Sequence, residues 1–281
     1  MKHATRVCIA ASLLFVASAV NADVITDWNI KAGEIVTESK LGTPPAIRVM
    51  AIVQTAVYDA VNTVSPAASV NAAVAAANRV TLTKMMPAQQ ASIDAAYQAA
   101  LAKVDEGPAK VAGIAAGEQA AAAVLARRAE DGGATPESYR PHTIAGVYVP
   151  TAIPAVTQWP QRKPWLMSTA AQFRPGPPPA LNSATWTRDY NEIKALGSKN
   201  STQRTAEQTE IARFWEYSLP SIYHGVVRSV AATPGRDVTQ NAMTFAAVAQ
   251  AMDDAMISVF EAKYQYNFWR HVSNINGFIQ C

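Results

Sequence analysis

Lys263 and Arg270 are the two residues whose types and spacing best fit the binding of an anion. They stand seven residues apart in the run K-Y-Q-Y-N-F-W-R, in which aromatic residues are interleaved. On a continuous helix, seven residues return to the same face within about 20°, which places the two cations roughly 10 Å apart. Such a fixed pair suits an oxyanion such as phosphate or vanadate. The alternative is a solvated cationic helix end that complements the helix dipole.

A stripe of apolar residues leads to Lys263 along the same predicted helix. Its members recur every three or four residues and are Phe245, Ala249, Met252, Met256 and Val259. This is the spacing of a buried helix face, so the pattern predicts that Lys263 continues the buried stripe. Because an unpaired buried ammonium is costly, Lys263 must then either reach solvent or meet an anion.

The run from Lys263 to Arg270, with Trp269 before the arginine, resembles the first active-site motif of the vanadium-dependent haloperoxidases. The related type 2 phosphatidic acid phosphatases and bacterial acid phosphatases share that motif. Further similar segments cover residues 48–62, 172–179, 204–209 and 214–215. The resemblance implies an all-α fold, a helical bundle of the vanadium haloperoxidase and acid phosphatase type. It also implies that Lys263 and Arg270 bind the oxygens of the cofactor vanadate, or of phosphate.

The sequence departs from this family pattern in two ways. His271 follows the motif arginine, where the family usually has proline. The family's second motif, P-S-G-H, and its third, S-R with a histidine six residues after the arginine, occur nowhere in the 281 residues. His142, His224 and His271 lack the context of these motifs, so no catalytic residue is assigned. The sequence is therefore interpreted as an N-terminal half that stops before the histidine-bearing motifs.

The resemblance implies a protein in which bound vanadate activates hydrogen peroxide to oxidise a halide, and which is incomplete and inactive as these 281 residues. Two alternatives stay open: a secreted acid phosphatase of the same superfamily, and a non-enzymatic exported helical product of a truncated or split gene. The sequence therefore leaves open whether the chain is an enzyme. The expected partners are a small oxyanion, halide and hydrogen peroxide if the site is completed, and a second copy of the chain or a complementing C-terminal half.

The first 22 residues have the features of a secretory signal peptide. Lys2 and Arg6 precede an apolar run over residues 7–20 and a small-residue cleavage site at residues 20–22. The apolar run is too short to span a membrane, and the expected location is the periplasm or beyond. Without this leader, 24 − 2 = 22 lysines and arginines face 21 aspartates and glutamates. This balance gives no electrostatic case for a nucleic-acid partner or an anionic membrane surface.

Composition divides the chain into four segments. They are a signal peptide (1–22), an N-terminal helical region (23–131), a proline-rich wrap (132–181) and a C-terminal helical region that carries the motif (182–281). Alanine supplies 23 of the 60 residues in the range 67–126, which predicts closely packed helices. The wrap holds ten of the 17 prolines, which exclude a regular helix. Its tryptophans, Trp159 and Trp165, are expected to anchor it on the helices.

Helical periodicity and capping residues predict individual helices. They cover residues 23–39, 183–197, 205–217 and 220–232, followed by a long helix that begins after Asp237. A further helix has its apolar period over residues 47–64, and the prolines just after Thr43 suit its opening turn. Trp28 and Ile35 are predicted to point inward in the first helix, and Ile211, Phe214 and Trp215 in the helix over 205–217. Asp253 and Asp254 interrupt the long helix and are expected to form a charge pair or to cap a neighbouring segment. No residues at ligand spacing support a metal site.

Overall fold

The computed structural model describes residues 23–141, 146–150, 153–216 and 219–269, with the backbone alone at 219–222. Within these ranges the chain forms nine α-helices. They are α1 (Val24–Glu38), α2 (Thr43–Thr63), α3 (Val70–Met85), α4 (Gln90–Leu101), α5 (Pro108–Arg128), α6 (Ala184–Leu196), α7 (Ala206–Trp215), α8 (Leu219–Ala231) and α9 (Val238–Tyr266). The extended pairing in the same ranges is one isolated bridge between Val147 and Phe268. The predicted all-α fold is confirmed.

Several sequence predictions concern residues outside the described ranges. They are the signal peptide (1–22), Arg270, His142 and His271. These stay predictions, as does the division of the chain into four segments. Among the helices that are described, none combines the length and the apolar character needed to cross a membrane.

Helix α2 lies at the centre of the bundle and contacts α1, α3, α5, α8 and α9. Its side chains Ile52, Val53 and Val57 are at most 1% exposed, as expected for a helix covered on several sides. Prolines occupy its first turn, where the helix does not need their missing N–H groups. The helix therefore begins where the sequence predicts, and it forms the core against which the other helices pack.

Helices α3 and α5 pack closely, as their alanine-rich sequences predict. Ala73 and Ala76 in α3 and Ala121 in α5 are at most 1% exposed. A Cβ atom added to Gly117 of α5 would lie 2.1 Å from the carbonyl oxygen of Ala73. The absence of a side chain at Gly117 is therefore what permits this approach of the two backbones.

The predicted helix starts are confirmed by their capping bonds. The side chains of Asp23, Ser183, Thr205 and Asp237 each accept a hydrogen bond from a backbone N–H in the first turn that follows. These bonds satisfy donors that the helix itself leaves free. In α1 the predicted anchors are also confirmed, because Trp28 is 5% exposed and Ile35 is 0% exposed.

The inward orientation predicted for the helix over 205–217 is wrong. In α7, Ile211, Phe214 and Trp215 are 52%, 62% and 58% exposed. No residue of α6 or α7 is buried within the described ranges. An amphipathic pattern identifies the apolar face of a helix but does not identify a partner that covers it.

The proline-rich wrap docks on α9 through buried ion pairs. The guanidinium of Arg162 donates to both oxygens of Asp253 at 2.6 and 2.9 Å and to Asp131 at 2.9 Å. Trp159 packs on the same guanidinium, with its ring centroid 4.7 Å away, and is 3% exposed. Trp165 donates from its indole nitrogen to Asp253 at 2.8 Å. The predicted anchoring by the two tryptophans is confirmed.

Asp253 and Asp254 take the two roles that the sequence left open. Asp253 forms the charge pair with Arg162, and neither side chain has exposed surface. Asp254 caps the wrap by accepting the backbone N–H groups of residues 165–167 at 2.6, 2.8 and 3.0 Å. Both acids are buried in a helix because each is fully engaged with the wrap.

Candidate functional site

The long helix α9 ends at Tyr266, before it reaches Arg270. Asn267 adopts a left-handed conformation, with φ 43° and ψ 36°, and its N–H donates to the carbonyl of Lys263 at 3.0 Å. Asparagine tolerates this conformation better than most residues and commonly ends helices. The shared helical face assumed for Lys263 and Arg270 is therefore wrong. Arg270 itself lies outside the described residues, so its pairing with Lys263 stays a prediction.

The segment after the helix is held in an extended path. The phenol of Tyr139 donates to the Asn267 side-chain oxygen at 3.0 Å, and the Tyr148 N–H donates to the Asn267 carbonyl at 2.8 Å. The Trp269 N–H donates to the carbonyl of Gly146 at 3.0 Å. These bonds direct the chain away from the helix axis. No sequence period signals this change, because it depends on partners about 120 residues earlier in the chain.

Lys263 lies on the exposed side of α9, so the prediction that it continues the buried stripe is wrong. Val259 is 46% exposed, and Met252 and Met256 are half-buried. The buried face runs instead through Ala249, Asp253, Ile257 and Glu261. These buried residues are four positions apart, and each such step moves the buried face by about 40° around the helix axis. By the last turns of α9 the buried face therefore no longer includes the side on which Lys263 lies.

An open groove of about 740 Å³, here called the Lys263 groove, lies between the end of α9 and the wrap. Its lining comprises Phe173, Pro175, Gly176, Pro178, Ser258, Val259, Ala262, Lys263, Tyr266, Phe268 and Trp269. Lys263 is the charged residue of this described lining, and most of the others are apolar or aromatic. An ammonium beside apolar surface makes a stronger charge-assisted contact than one surrounded by water.

Two polar contacts fix the wall of the Lys263 groove against the helix. Arg174 donates to both carboxylate oxygens of Glu261, with the Nε–Oε2 distance at 2.8 Å. The phenol of Tyr266 donates to the carbonyl of Pro175 at 2.5 Å. The wrap segment that resembles the family, residues 172–179, thereby lies beside the motif that carries Lys263. Residues of these two distant segments therefore line one groove.

Aromatic side chains pack at the last turns of α9, and one of them contacts Lys263. Its Nζ lies 4.9 Å from the ring centroid of Phe260, a distance at which a cation is attracted to the ring face. The ring of Tyr264 packs against Phe260 at 6.2 Å and against Tyr139 at 5.2 Å, measured between centroids. These contacts restrict the last turn of α9, and the lysine with it.

The described residues supply only part of a vanadate or phosphate pocket. Lys263 is the one cation of the described groove lining, and Arg270 falls outside the described ranges. His224 lies elsewhere, buried at 3% exposure and hydrogen-bonded to Asn29. No group of three or more His, Cys, Asp or Glu residues among those described could hold a metal ion. The described lining thus supplies one cationic contact to the vanadate that the family resemblance implies, and the second contact is the one predicted for Arg270.

The buried arginine network was not singled out in the sequence. Arg48 donates to both oxygens of Asp131 at 2.9 Å, and Arg128 lies 3.2 Å from the same carboxylate. Burial alone would raise the pKa of Asp131, but the hydrogen bond from Arg48 and the charge of Arg162 hold that pKa well below its usual range. The sequence feature that could have indicated this network is Arg162, which lies between Trp159 and Trp165 in the wrap.

The chain is an all-α bundle with a lysine-bearing groove at the end of its longest helix, α9. Several solved structures have a similar fold. The first bacterial vanadium-dependent iodoperoxidase superposes with a TM-score of 0.70 at 21% identity, covering 91% of this chain and 72% of that one. A holo-type bacterial vanadium-dependent chloroperoxidase gives 0.66 at 18% identity, covering 88% and 67%. An apo-type structure of a bacterial vanadium-dependent chloroperoxidase gives 0.65 at 17% identity, covering 85% and 67%.

The chain therefore has the all-α fold of the bacterial vanadium-dependent haloperoxidases, as the sequence resemblance predicted. The sequence matches no protein-family model and no curated protein. At identities of 17 to 21%, the structural likeness establishes the fold, and the chemistry has to be argued from the residues of this chain.

Proposed function

We propose that this chain is a haloperoxidase-like protein whose Lys263 groove binds a tetrahedral oxyanion, vanadate in the first place. The main support is the position of Lys263, an ammonium in a mostly apolar groove, on a fold shared with vanadium-dependent haloperoxidases. Vanadate and phosphate have the same shape and oxygen arrangement, and both suit this contact.

Three residues of the motif and Arg174 of the wrap have separate parts in this proposal. Lys263 holds one oxygen of the anion and stabilises negative charge that develops there. Arg270, from the segment that follows the Asn267 turn, holds a second oxygen through its forked donors. Tyr266 and Arg174 keep the wrap wall in place around the anion. Bound vanadate would supply the activation of peroxide that the family resemblance implies.

We further propose that these 281 residues bind the oxyanion but catalyse neither halide oxidation nor phosphate-ester hydrolysis. Neither histidine-bearing motif of the family occurs in the sequence. His224 is buried among α1, α2 and α8, and it does not line the Lys263 groove. Loss of a covalent ligand or nucleophile removes the bond on which the reaction depends, and so costs far more than loss of one hydrogen-bond donor.

A secreted acid phosphatase of the same superfamily is the second candidate. It would use the same groove for phosphate and would need the same histidine motifs. Export to the periplasm or beyond forms part of either proposal, and it rests on the signal-like features of residues 1–22. The exposed apolar face of α9, with Val259 at 46% exposure, suits a covering partner, either a second copy of the chain or a complementing segment.

Paired activity assays test the proposal that binding occurs without turnover. The purified protein is incubated with vanadate and assayed for bromination with peroxide and for aryl-phosphate hydrolysis. We expect no vanadate-dependent product in the first assay and no hydrolysis in the second. Turnover in either assay that is lost in Lys263→Ala but kept in Lys199→Ala, an exposed lysine outside the groove lining, would show that the site is already complete.

A further inference from the structure

We propose that a second cavity, between α1, α2 and α8, binds a small organic carboxylate with an apolar body. This cavity, here called the His224 cavity, measures about 580 Å³ and shares no lining residue with the Lys263 groove. Its lining includes Asn29, Val36, Leu41, Met50, His224 and Arg228. The volume falls within the range usual for small-molecule sites, which combine apolar walls with a few placed polar groups.

Three side chains joined by hydrogen bonds, here called the relay, form the polar floor of the His224 cavity. Arg228 donates from Nη1 to the side-chain oxygen of Asn29 at 2.9 Å. Because this bond fixes the amide of Asn29, its Nδ2 faces Nδ1 of His224, which lies 2.7 Å away. An amide nitrogen can only donate, so Nδ1 accepts and the ring proton resides on Nε2.

The relay keeps the His224 ring neutral. Burial lowers the pKa of His224 to about 4, and the positive charge of Arg228 acts in the same direction. Within the described ranges, Asn29 is the one hydrogen-bond partner of the ring, whose residue is 3% exposed. The ring of His224, which lines the cavity, therefore carries an N–H donor at Nε2.

Arg228 supplies the positive charge of the floor. Its recorded bond is the one to the neutral amide of Asn29, and no described carboxylate forms an ion pair with it. Burial lowers the pKa of Arg228, which reflects the cost of holding a half-buried guanidinium without a counter-ion. A carboxylate placed against Arg228 and the His224 donor would offset that cost.

The walls of the cavity indicate which chemical groups, besides the carboxylate, the ligand should carry. Val36, Ala46 and Met50 are at most 6% exposed and form an apolar surface above the floor. The acids Glu34 and Glu38 lie at the exposed rim, where Glu34 pairs with Lys31 at 3.0 Å. This arrangement favours one anionic head at the floor with an apolar chain along the wall. It disfavours polyanions, whose further charges would meet the acidic rim.

Two probes of equal length test the charge requirement. Octanoate and octanamide are titrated separately into the purified 281-residue protein by isothermal calorimetry. We expect octanoate to bind about tenfold or more tightly than octanamide, and Arg228→Gln to abolish that preference. The matched control is Arg188→Gln, an exposed arginine of α6, which should keep it. Equal binding of the two probes to the wild type, or binding of neither, overturns the proposal.

A substitution at Gly33 tests the location independently of Arg228. Gly33 lines the His224 cavity within α1, and a Cβ added there meets no atom within 4 Å. Leucine and alanine both favour a helix over glycine, so both variants should fold, as a melting temperature will verify. We expect Gly33→Leu to abolish octanoate binding and Gly33→Ala to bind within about threefold of wild type. Wild-type affinity in a folded Gly33→Leu protein places octanoate elsewhere and overturns the proposal.

Discussion

Arg162 and Asp253 form a bidentate ion pair, with nitrogen–oxygen distances of 2.6 and 2.9 Å and no exposed side-chain surface. The pair joins the proline-rich wrap to α9 ten residues before Lys263. Closer to the groove, the bonds between Arg174 and Glu261 hold the same wrap to the same helix. The wall of the Lys263 groove therefore depends on ionic contacts that position the wrap and take no part in binding.

Replacing Arg162 with leucine is expected to destabilise the fold strongly. The change leaves Asp253 with the indole N–H of Trp165 as its one recorded donor, in a fully buried position. Removing one partner of a buried pair costs about 3–5 kcal/mol, because the other charge stays buried without compensation. Urea unfolding followed by circular dichroism measures the change in the free energy of unfolding.

The control for this prediction is Arg188→Gln. Arg188 pairs with Asp189 on the surface, where the two side chains are 71% and 46% exposed. Such pairs contribute about 0–1 kcal/mol, so the control should unfold almost as the wild type does. An Arg162→Leu protein as stable as this control would contradict the anchoring role of the buried pair.

Protonation of His224 is expected to make the fold less stable as the pH falls from about 6.5 towards 4. Its pKa is about 4 in the folded protein, below the ordinary value of 6.5, so the unfolded chain binds the proton first in this window. Stability is therefore full above pH 6.5 and is lost on acidification. Between pH 7 and pH 5 the contribution of this group should be about 2 kcal/mol.

The test compares wild type with His224→Gln by urea unfolding at pH 7 and at pH 5. Asp131 stays ionised throughout this range because its folded pKa lies well below the usual range. The variant should lose less stability than the wild type on going from pH 7 to pH 5. Identical losses in the two proteins would mean that His224 is already protonated, or is solvated, in the fold.

Adding one methyl group should have opposite effects at two helical glycines. A Cβ at Gly117 would lie 2.1 Å from the backbone oxygen of Ala73, so Gly117→Ala must push α3 and α5 apart. A Cβ at Gly33 meets open space, and alanine is a better helix former than glycine. We expect Gly117→Ala to cost about 1–3 kcal/mol and Gly33→Ala to gain about 0.5–1 kcal/mol. Similar thermal shifts in both proteins would show that α3 and α5 are not closely packed.

Local sequence patterns were sufficient to predict most helices. The caps at Asp23, Ser183 and Asp237 and the prolines that open α2 act within a few residues, so they can be recognised without tertiary structure. The exclusion of helix from the wrap follows equally from its prolines. The fold class was predicted correctly because these signals are local and agree with one another.

The errors concern which element covers which face. The exposed side of α7 and the turn of the buried face of α9 away from Lys263 depend on partners distant in sequence. The left-handed turn at Asn267 depends on bonds from Tyr139 and Tyr148. The contact between Asn29 and His224 spans 195 residues, and no motif links them. Periodicity describes one helix at a time and carries no information on such pairings.

The central claim, that the Lys263 groove binds an oxyanion, is tested most directly by calorimetric titration of vanadate and, separately, phosphate into wild type, Lys263→Ala and Lys199→Ala. Loss of one charge-assisted contact costs about 1.5–3 kcal/mol, so Lys263→Ala should bind either anion about 10- to 150-fold more weakly. Lys199 is exposed and outside the groove lining, so its replacement should leave both affinities unchanged. Equal affinities in the wild type and Lys263→Ala would contradict the claim.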